Sequence, residues 1–294
     1  VRGRVFKRGK TTWSYVVDLG RDAQGRRRQR MKGGFASRQD ADKALNKVLV
    51  ALDGQRYVPP KKATVASFVR EEWLPAVAPP NLRESTWQSY RAELEKHVLP
   101  HLGGTQLQRV NAVQLNQLYA YLLREGRRDG SGGLSPRSVR YAHTILRKAL
   151  ADAVRWGHLE RNPADLATPP RQDRAADATM RTWTAAQLRH FLASVEGERL
   201  YAAWLLAAST GMRRGEVLGL PWRDLDLDAA RVAIRQTLVT VNDEVRISQP
   251  KTRKSRRVID LDARTVTALR TWRELQRGER TEWAEAWTDT GLGF

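Results

Sequence analysis

This chain of 294 residues carries 52 Lys and Arg against 32 Asp and Glu, and its formal net charge of +20 favours a polyanionic partner, above all nucleic acid. The hydrophobic content of 41% suffices for packed cores and excludes a disordered polycation, and the length predicts two or three domains. The absence of cysteine, of an apolar leader and of any run near ~18 apolar residues excludes disulfides, thiolate metal sites and a membrane span, and favours a cytoplasmic protein.

The first segment, residues 1–62, holds 17 Lys and Arg against 5 Asp and Glu, a net +12. Short alternating runs, separated by turn signals at Arg8-Gly9-Lys10 and at residues 22–25, predict three antiparallel strands. Ser37 is expected to cap a helix with an apolar stripe, which Gly54 ends. We therefore predict a first domain over residues 1–58, in which one helix packs on a small three-stranded sheet.

A second domain is predicted over residues 64–167, after a proline-rich linker. Apolar residues recur there at helical spacing, and hydroxyl residues precede several of the runs, as is typical of helix starts. The pattern predicts a bundle of four or five helices. The helix starts are expected at Thr64, Ser85-Thr86-Trp87, Val113 and Ser135-Pro136, with Pro100 ending the second helix and Gly157 closing the fourth.

The third domain is predicted over residues 177–294, after an extended tether. Thr184 caps a helix, an apolar helix runs from Tyr201 until Gly211 breaks it, and a further helix covers residues 263–276. We expect residues 232–234 and 245–247 to pair as a hairpin, with 258–261 as a third strand and an irregular segment from Trp287 onwards. The predicted fold class is mainly α with small β elements, ending in a mixed α/β domain.

Arg213 is the first candidate for chemistry, because it opens a helix directly after Thr210-Gly211-Met212. A planar guanidinium can hold two non-bridging phosphate oxygens and is never deprotonated, which suits the extra charge of a pentacoordinate phosphoryl transition state. The simpler alternative is a solvated arginine at a helix start. Glu216 follows at helical spacing and faces Arg213. A plain ion pair between the two is nearly as well supported as a role for Glu216 in the chemistry of the site.

Lys251 is the second candidate, in a turn between two predicted strands. Five of the seven residues from Lys251 to Arg257 are basic, so most of them must meet solvent or a phosphate backbone. A phosphate-clamping role is the alternative to catalysis for Lys251. The sequence contains no HExxH motif, paired carboxylates or P-loop, so no metal ion or cofactor is expected.

The segments TGMRRGEVLGLPWRDLDL (210–227) and PKTRKSRRVIDL (250–261) together resemble the tyrosine recombinases, the phage integrase family. The predicted basic sheet and helical bundle also resemble that family's arm-binding and core-binding domains. The bundle ends in a segment typical of the core-binding domain, Trp156-Gly157-His158-Leu159-Glu160-Arg161-Asn162-Pro163. The resemblance implies a metal-free reaction in which a tyrosine attacks a DNA phosphate, giving a 3′-phosphotyrosyl link and a free 5′ hydroxyl. It also implies that Arg213 and Glu216 belong to the active site, that Lys251 protonates the departing 5′ oxygen, and that a homotetramer assembles on double-stranded DNA.

DNA contacts are expected at three places. One face of the third strand supplies cations, two helix starts in the bundle supply hydroxyl, amide and guanidinium groups, and the Lys251 turn supplies two more arginines. The residues are Arg28, Arg30 and Lys32 on the strand, Thr86, Arg137 and Arg140 at the helix starts, and Arg253 and Arg256 in the turn.

The family's remaining active-site residues, a His–x–x–Arg segment, a His or Trp and the tyrosine, have no counterpart here, because no Tyr or His follows Tyr201. We therefore expect that the chain lacks the C-terminal part of the catalytic domain and does not cleave DNA by itself. The alternative is a DNA-binding regulator on the same scaffold that never cuts. An RNA-binding translation factor would explain the charge but not the two segments.

Overall fold

The structure, a computed structural model, describes residues 3–9, 11–21, 24–54, 57–59, 62–171, 182–241, 244–249 and 255–294. The chain divides into two compact units, Val1–Gln172 and Asp173–Phe294. Lys251 and Arg253, two of the predicted site residues, lie outside the described residues.

The first unit begins with a three-stranded antiparallel sheet, in which β2 (Thr12–Arg21) lies between β1 (Gly3–Arg8) and β3 (Arg27–Phe35). Helix α1 (Arg38–Asp53) follows, and the Ser37 hydroxyl caps it by accepting a hydrogen bond from the Asp40 N–H at 3.1 Å. Tyr15 and Val17 of β2 are buried in one cluster with Leu45 of α1. The predicted sheet with one packed helix is confirmed.

After α1, the described residues of the first unit form four further α-helices, with short 3₁₀ segments at Leu107–Arg109 and Pro163–Leu166. Helix α2 consists of the consecutive segments Val65–Ser67, Phe68–Trp73 and Leu74–Ala76, and α3 consists of Glu84–Glu93, Leu94–Val98 and Leu99–Leu102; α4 is Ala112–Glu125 and α5 is Pro136–Arg155. The middle segments of α2 and α3 are π-helical. The four helices share one buried cluster, in which Trp73 donates its indole N–H to the buried Asp152 carboxylate at 2.8 Å.

Two predictions for α3 are wrong. The helix begins at Glu84, one residue before Ser85, and Pro100 does not end it. The π-helical turn directly before Pro100 shifts the pairing by one residue, so that the N–H of Leu99 donates to the Leu94 carbonyl. A local change of this kind relieves the clash that a proline ring makes with an ordinary α-helical turn.

Among its described residues, the second unit contains three short α-helices, five strands and one long α-helix. These are α6 (Ala185–Ser194), α7 (Tyr201–Thr210), α8 (Arg214–Leu218), β4 (Leu225–Asp226), β5 (Arg231–Ile234), β6 (Thr237–Val241), β7 (Glu244–Ser248), β8 (Arg257–Asp260) and α9 (Ala263–Trp283). The strands form one antiparallel sheet of order β4-β5-β8 and a separate hairpin, β6-β7.

The predicted pairing of residues 232–234 with residues 245–247 is therefore wrong. Strand β7 pairs with β6, with Val241 opposite Glu244 across the hairpin, and β5 pairs instead with β4 and β8. The run Thr237–Val241 is rich in β-branched residues and lies nearer to β7 along the chain than β5 does. It therefore forms β6 and pairs with β7 in place of β5. As a result, residues 249–256 connect strands of two different sheets.

The last residues also differ from expectation. Helix α9 continues past Gln276 to Trp283, and residues 287–294, although irregular as predicted, pack onto the core. The Gly293 N–H donates to the Leu220 carbonyl at 2.7 Å, and the Phe294 ring stacks on Trp272 with centroids 6.2 Å apart. Within the described part of the chain, no helix has the length and apolarity needed to cross a membrane.

Candidate active site

The turn between α7 and α8 places Arg213. Gly211 ends α7 in the left-handed region, at φ +64°, where residues with a side chain are strained. Met212 then buries its side chain, and its N–H donates to the Thr210 hydroxyl at 3.3 Å. This tight reversal leaves Arg213 as the residue that caps the N-terminus of α8.

Glu216 lies in the first turn of α8, with its side chain only 4% exposed. One carboxylate oxygen accepts a hydrogen bond from the Arg213 backbone N–H at 2.9 Å, and the other accepts from Arg213 Nη1 at 2.9 Å. The carboxylate thus satisfies an otherwise unpaired N–H at the helix start and restrains the arginine side chain at the same time.

A second arginine binds the same carboxylate. Arg257, the first residue of β8, donates from Nη1 to Glu216 Oε1 at 3.3 Å and from Nη2 to Oε2 at 3.0 Å. Its Nη1 also donates to the Ser255 carbonyl at 3.2 Å. Two guanidinium groups therefore share one buried carboxylate, and the cluster keeps a net positive charge.

The Arg213 guanidinium keeps donors for an external acceptor. Its side chain is 73% exposed, and within the described residues only Nη1 has a protein acceptor, so Nε and Nη2 face none. Two parallel N–H donors of this kind match two oxygens of a phosphate. The geometry suits an oxyanion that approaches from solvent.

The pKa of Glu216 reflects two opposed influences. Burial raises the pKa of this carboxyl, but the hydrogen bonds from Arg257 and from the backbone and side chain of Arg213 outweigh burial and hold the pKa below its ordinary value. Glu216 is accordingly a carboxylate at neutral pH.

Two glycines allow the β6–β7 hairpin to pack against α8. A Cβ at Gly215 would lie 2.5 Å from the Leu238 carbonyl oxygen, and a Cβ at Gly219 would lie 2.5 Å from the Leu238 nitrogen. The Gln236 side chain adds a hydrogen bond to the Gly219 carbonyl at 2.8 Å. The hairpin that leads into residues 249–256 is thereby held against the helix that Arg213 caps.

The structure thus brings together two of the predicted site residues, Arg213 and Glu216, and adds Arg257, which sequence reasoning missed. Arg256 is exposed and donates to the Gln249 side chain at 3.0 Å. No alternation in the sequence of β8 reveals Arg257, because the neighbouring residues Val258 and Ile259 are both apolar; in the fold Arg257 shares the half-buried face with Ile259, while Val258 is 63% exposed.

The three side chains of the sheet that are predicted to contact DNA, Arg28, Arg30 and Lys32, share one face, but that face is the one on which α1 packs. Arg30 lies opposite Val17 and Lys32 lies opposite Tyr15, both of which are buried beneath α1. Arg30 lies over the ring of Tyr57 at 5.9 Å and Lys32 over the ring of Phe35 at 5.7 Å, while Arg28 is exposed. The opposite face of the sheet carries a concave surface lined by Arg4, Phe6, Val16, Gln29 and Met31, among others.

The predicted contacts in the bundle lie in the N-terminal turns of two helices. Thr86 is in the first turn of α3, and Arg137 is in the first turn of α5 and exposed. The hydroxyls of Ser89 and Tyr141, each the sixth residue of its helix, are 2.9 Å apart, so both N-terminal turns lie within about 9 Å of one contact. Arg140, also exposed, donates to the Pro170 carbonyl at 3.0 Å.

The positive charge is unevenly distributed along the chain. Residues 63–171 contain 15 Lys and Arg against 10 Asp and Glu, and residues 182–294 contain 18 against 15. Most of the excess therefore belongs to residues 1–62, and in the last part of the chain five of the seven residues from Lys251 to Arg257 are basic.

Comparison with known families gives three matches in chain order. Residues 5–52 match the family described as an arm DNA-binding domain, and residues 67–123 match the N-terminal SAM-like domain of phage integrases. Residues 180–284 match the phage integrase family, a range that includes Arg213, Glu216, Lys251 and Arg257. The matches cover parts of both compact units.

Among curated proteins, the chain is similar to a XerC-like tyrosine recombinase of Caldanaerobacter subterraneus subsp. tengcongensis, with 24% identity over 93% of this chain and 71% of that protein. Among solved structures, it is similar to the Tn1549 transposon integrase in complex with transposon right end DNA, with a TM-score of 0.57, 19% identity, and coverage of 71% of this chain and 64% of that one. A lambda integrase tetramer bound to a Holliday junction gives a TM-score of 0.54 at 16% identity, over 92% of this chain and 74% of that one. These structural similarities concern the fold.

Proposed function

Because the chain belongs to the phage integrase family of tyrosine recombinases, we propose that it functions in site-specific DNA recombination and supplies the DNA-binding domains and the first half of the active site. The reaction we propose is attack of a tyrosine on a DNA phosphate, which forms a 3′-phosphotyrosyl bond and releases a 5′ hydroxyl, followed by reversal on a partner duplex. The division into residues 1–58, 64–167 and 177–294 is part of this proposal.

The observation that carries the proposal is the Arg213–Glu216–Arg257 cluster. A buried carboxylate holds one end of the Arg213 guanidinium and leaves Nε and Nη2 directed away from any acceptor among the described residues. In the transition state, two non-bridging phosphate oxygens would accept from these donors, which are already oriented before DNA binds. Preorganised donors of this type stabilise charge that develops during the reaction.

Lys251 is proposed as the general acid that protonates the departing 5′ oxygen. Support comes from its place in the chain, between the β6–β7 hairpin, which packs on α8, and Arg257, which binds Glu216. Both ends of residues 249–256 are therefore tied to the helix that Arg213 caps. A lysine in such a segment can reach the leaving group, and its ammonium can give up a proton, which an arginine cannot do at neutral pH.

Double-stranded DNA is the proposed partner, bound by a homotetramer. We propose that Arg28, Arg30 and Lys32 contact DNA phosphates beside the sheet, and that Thr86, Arg137 and Arg140 do so at the bundle. Arg253 and Arg256 would contact DNA near the reacting phosphate. Support comes from the net charge of +12 in residues 1–62 and from the shared position of Thr86 and Arg137 in N-terminal helix turns.

The experiment that tests this function follows covalent protein–DNA adducts on duplexes that carry candidate attachment sites. Residues 1–294 alone should bind duplex DNA and form no adduct, because no tyrosine follows Arg213. Restoring cleavage should require a catalytic domain that also contains a C-terminal tyrosine. Adducts formed by residues 1–294 alone would contradict the assignment of roles.

A DNA-binding regulator that does not cut is the second candidate, and one observation favours it. Residues 1–62 carry a net charge of +12, which supports DNA binding whether or not cleavage follows. Repression of a promoter by residues 1–294, together with no covalent adduct from a protein that joins these residues to a C-terminal tyrosine, would support the regulator over the recombinase.

A further inference from the structure

We propose that Arg257 is a positioning residue of the active site: it holds the Glu216 carboxylate that orients Arg213, and it fastens the C-terminal end of the Lys251 segment to helix α8. The inference rests on the proposed function, because it assigns Arg257 a part in presenting Arg213 to a phosphate. It adds a residue that the family resemblance did not bring out and that contacts no DNA in this scheme.

The hydrogen bonds at Glu216 support this role. Each carboxylate oxygen accepts one hydrogen bond from Arg213 and one from Arg257, at distances of 2.9 to 3.3 Å. The side chain of Glu216 is 4% exposed, so water cannot easily replace a lost donor. Removal of the Arg257 guanidinium would leave both oxygens of a buried carboxylate with one donor each.

The two arginines use their donors differently. Arg257 directs both Nη atoms to Glu216 and one of them also to the Ser255 carbonyl, and its side chain is 32% exposed. Arg213 directs only Nη1 to Glu216 and is 73% exposed. Arg257 is thus built into the protein as a brace, whereas Arg213 presents its remaining donors to a ligand.

The position of Arg257 in the chain gives it a second effect. It lies six residues after Lys251 and begins β8, and it contacts Glu216 across 41 residues of sequence. The same carboxylate therefore binds Arg213 directly and holds the start of β8 at α8 through Arg257.

The experiment uses residues 1–294 and records the Nε–Hε resonances of ¹⁵N-labelled arginines, with Arg213→Lys identifying the Arg213 signal. Inorganic phosphate is the probe. In the wild type, phosphate should shift the Arg213 signal in a saturable manner. In Arg257→Ala, the apparent affinity should fall by about threefold or more, because the guanidinium is no longer preorganised. Arg277→Ala, which removes an exposed arginine of α9 that pairs with Glu274, should leave the titration unchanged.

A second readout follows the Glu216 carboxyl by ¹³C chemical shift as the pH changes. Arg257→Ala should raise the titration midpoint, because the carboxylate then loses the hydrogen bonds from Arg257 that lower its pKa. Arg257→Lys should restore much of the midpoint through its charge, yet should not restore phosphate affinity at Arg213, because a lysine cannot donate to both oxygens in parallel. If Arg257→Ala does not fold, Arg257→Lys carries the test by itself.

The outcomes separate this inference from the proposed function. If Arg257→Ala shows the same phosphate titration and the same Glu216 midpoint as the wild type, the positioning role is overturned. Full recovery of phosphate affinity in Arg257→Lys would overturn it as well. If phosphate fails to shift Arg213 even in the wild type, while Arg257→Ala still changes the Arg213 signal and the Glu216 midpoint, the positioning geometry stands and the phosphate-binding function fails.

Discussion

Gly215 lies so close to Leu238 that a Cβ on the glycine would be 2.5 Å from the leucine's carbonyl oxygen. Helix α8 and the β6–β7 hairpin therefore meet backbone to backbone at the helix that Arg213 caps. Because the neighbour is main chain rather than a flexible side chain, any side chain at residue 215 must displace the hairpin.

Gly215→Ala should accordingly destabilise the second unit by about 1–3 kcal/mol, since overpacking forces a backbone shift. Gly278→Ala is the matched control, because Gly278 is exposed on α9 with nothing within 4 Å of its would-be Cβ. Alanine in an exposed helix should stabilise by about 0.5–1 kcal/mol. Urea unfolding followed by tryptophan fluorescence measures both, and equal effects of the two variants would contradict the close approach.

Glu216→Gln should make stability depend on pH. Folding lowers the pKa of Glu216, so the carboxylate contributes stability above the unfolded-state pKa and loses that contribution as the pH falls through the folded-state pKa. The wild type should exceed Glu216→Gln by about 1–3 kcal/mol at pH 7, and the difference should close well below the usual glutamate pKa of about 4.3.

Glu274→Gln provides the comparison for this pH series. Glu274 forms the same i,i+3 pair with an arginine, Arg277, but both side chains are more than half exposed. Such a pair contributes about 0.5 kcal/mol or less, so its variant should show little difference at either pH. Unfolding free energies measured between pH 3 and pH 7 would distinguish the two, and a pH-independent gap for Glu216→Gln would count against the ionised, buried carboxylate.

The first sheet should contact DNA through both phosphates and a groove. Arg28→Ala is expected to lower the log–log salt slope of duplex binding by about 0.9, as loss of one phosphate contact requires. Arg4→Ala and Gln29→Ala, on the face that α1 leaves open, should reduce affinity for a preferred site more than for random duplex. Arg277→Ala controls for lost charge, and a salt slope unchanged by Arg28→Ala would remove that residue from the interface.

Lys251→Ala should slow cleavage of an ordinary DNA strand in a recombinase that contains these residues together with a nucleophilic tyrosine. The defect should largely disappear when the bridging 5′ oxygen is replaced by sulfur, because a thiolate leaves without protonation. Single-turnover cleavage of both substrates gives the ratio directly. An equal defect on the two substrates would indicate phosphate clamping rather than general acid catalysis.

Local signals predicted much of this fold, and non-local pairing accounts for what was missed. Ser37, Thr184 and Gly211 mark helix ends through their own side chains or backbone freedom, so their roles are visible in a few residues of sequence. Strand β5 pairs with β8, which follows more than twenty residues later, and no local pattern in the sequence specifies this pairing. Pro100 does not end α3 as predicted, because a π-helical turn accommodates it, and such a turn has no sequence signature of its own.

The candidate site likewise combines one contact that the local sequence predicts with another that only the fold creates. Arg213 and Glu216 face each other because they lie three positions apart at the start of a helix, and this contact follows from the helical period alone. Arg257 reaches the same carboxylate across 41 residues, through the order of strands in a sheet. Only the folded arrangement distinguishes it from Arg256, its equally basic neighbour.

The most direct test of the central claim, that Arg213 holds the reacting phosphate, compares wild type with Arg213→Lys in a recombinase that contains residues 1–294 and a C-terminal nucleophilic tyrosine. Lysine keeps the positive charge and loses the two parallel donors, so strand cleavage should fall by at least about 100-fold while site affinity changes by no more than about threefold. Covalent adduct formation in a single turnover and binding by gel shift are measured on the same duplex. Cleavage by Arg213→Lys at a rate close to that of the wild type would contradict the assignment of Arg213.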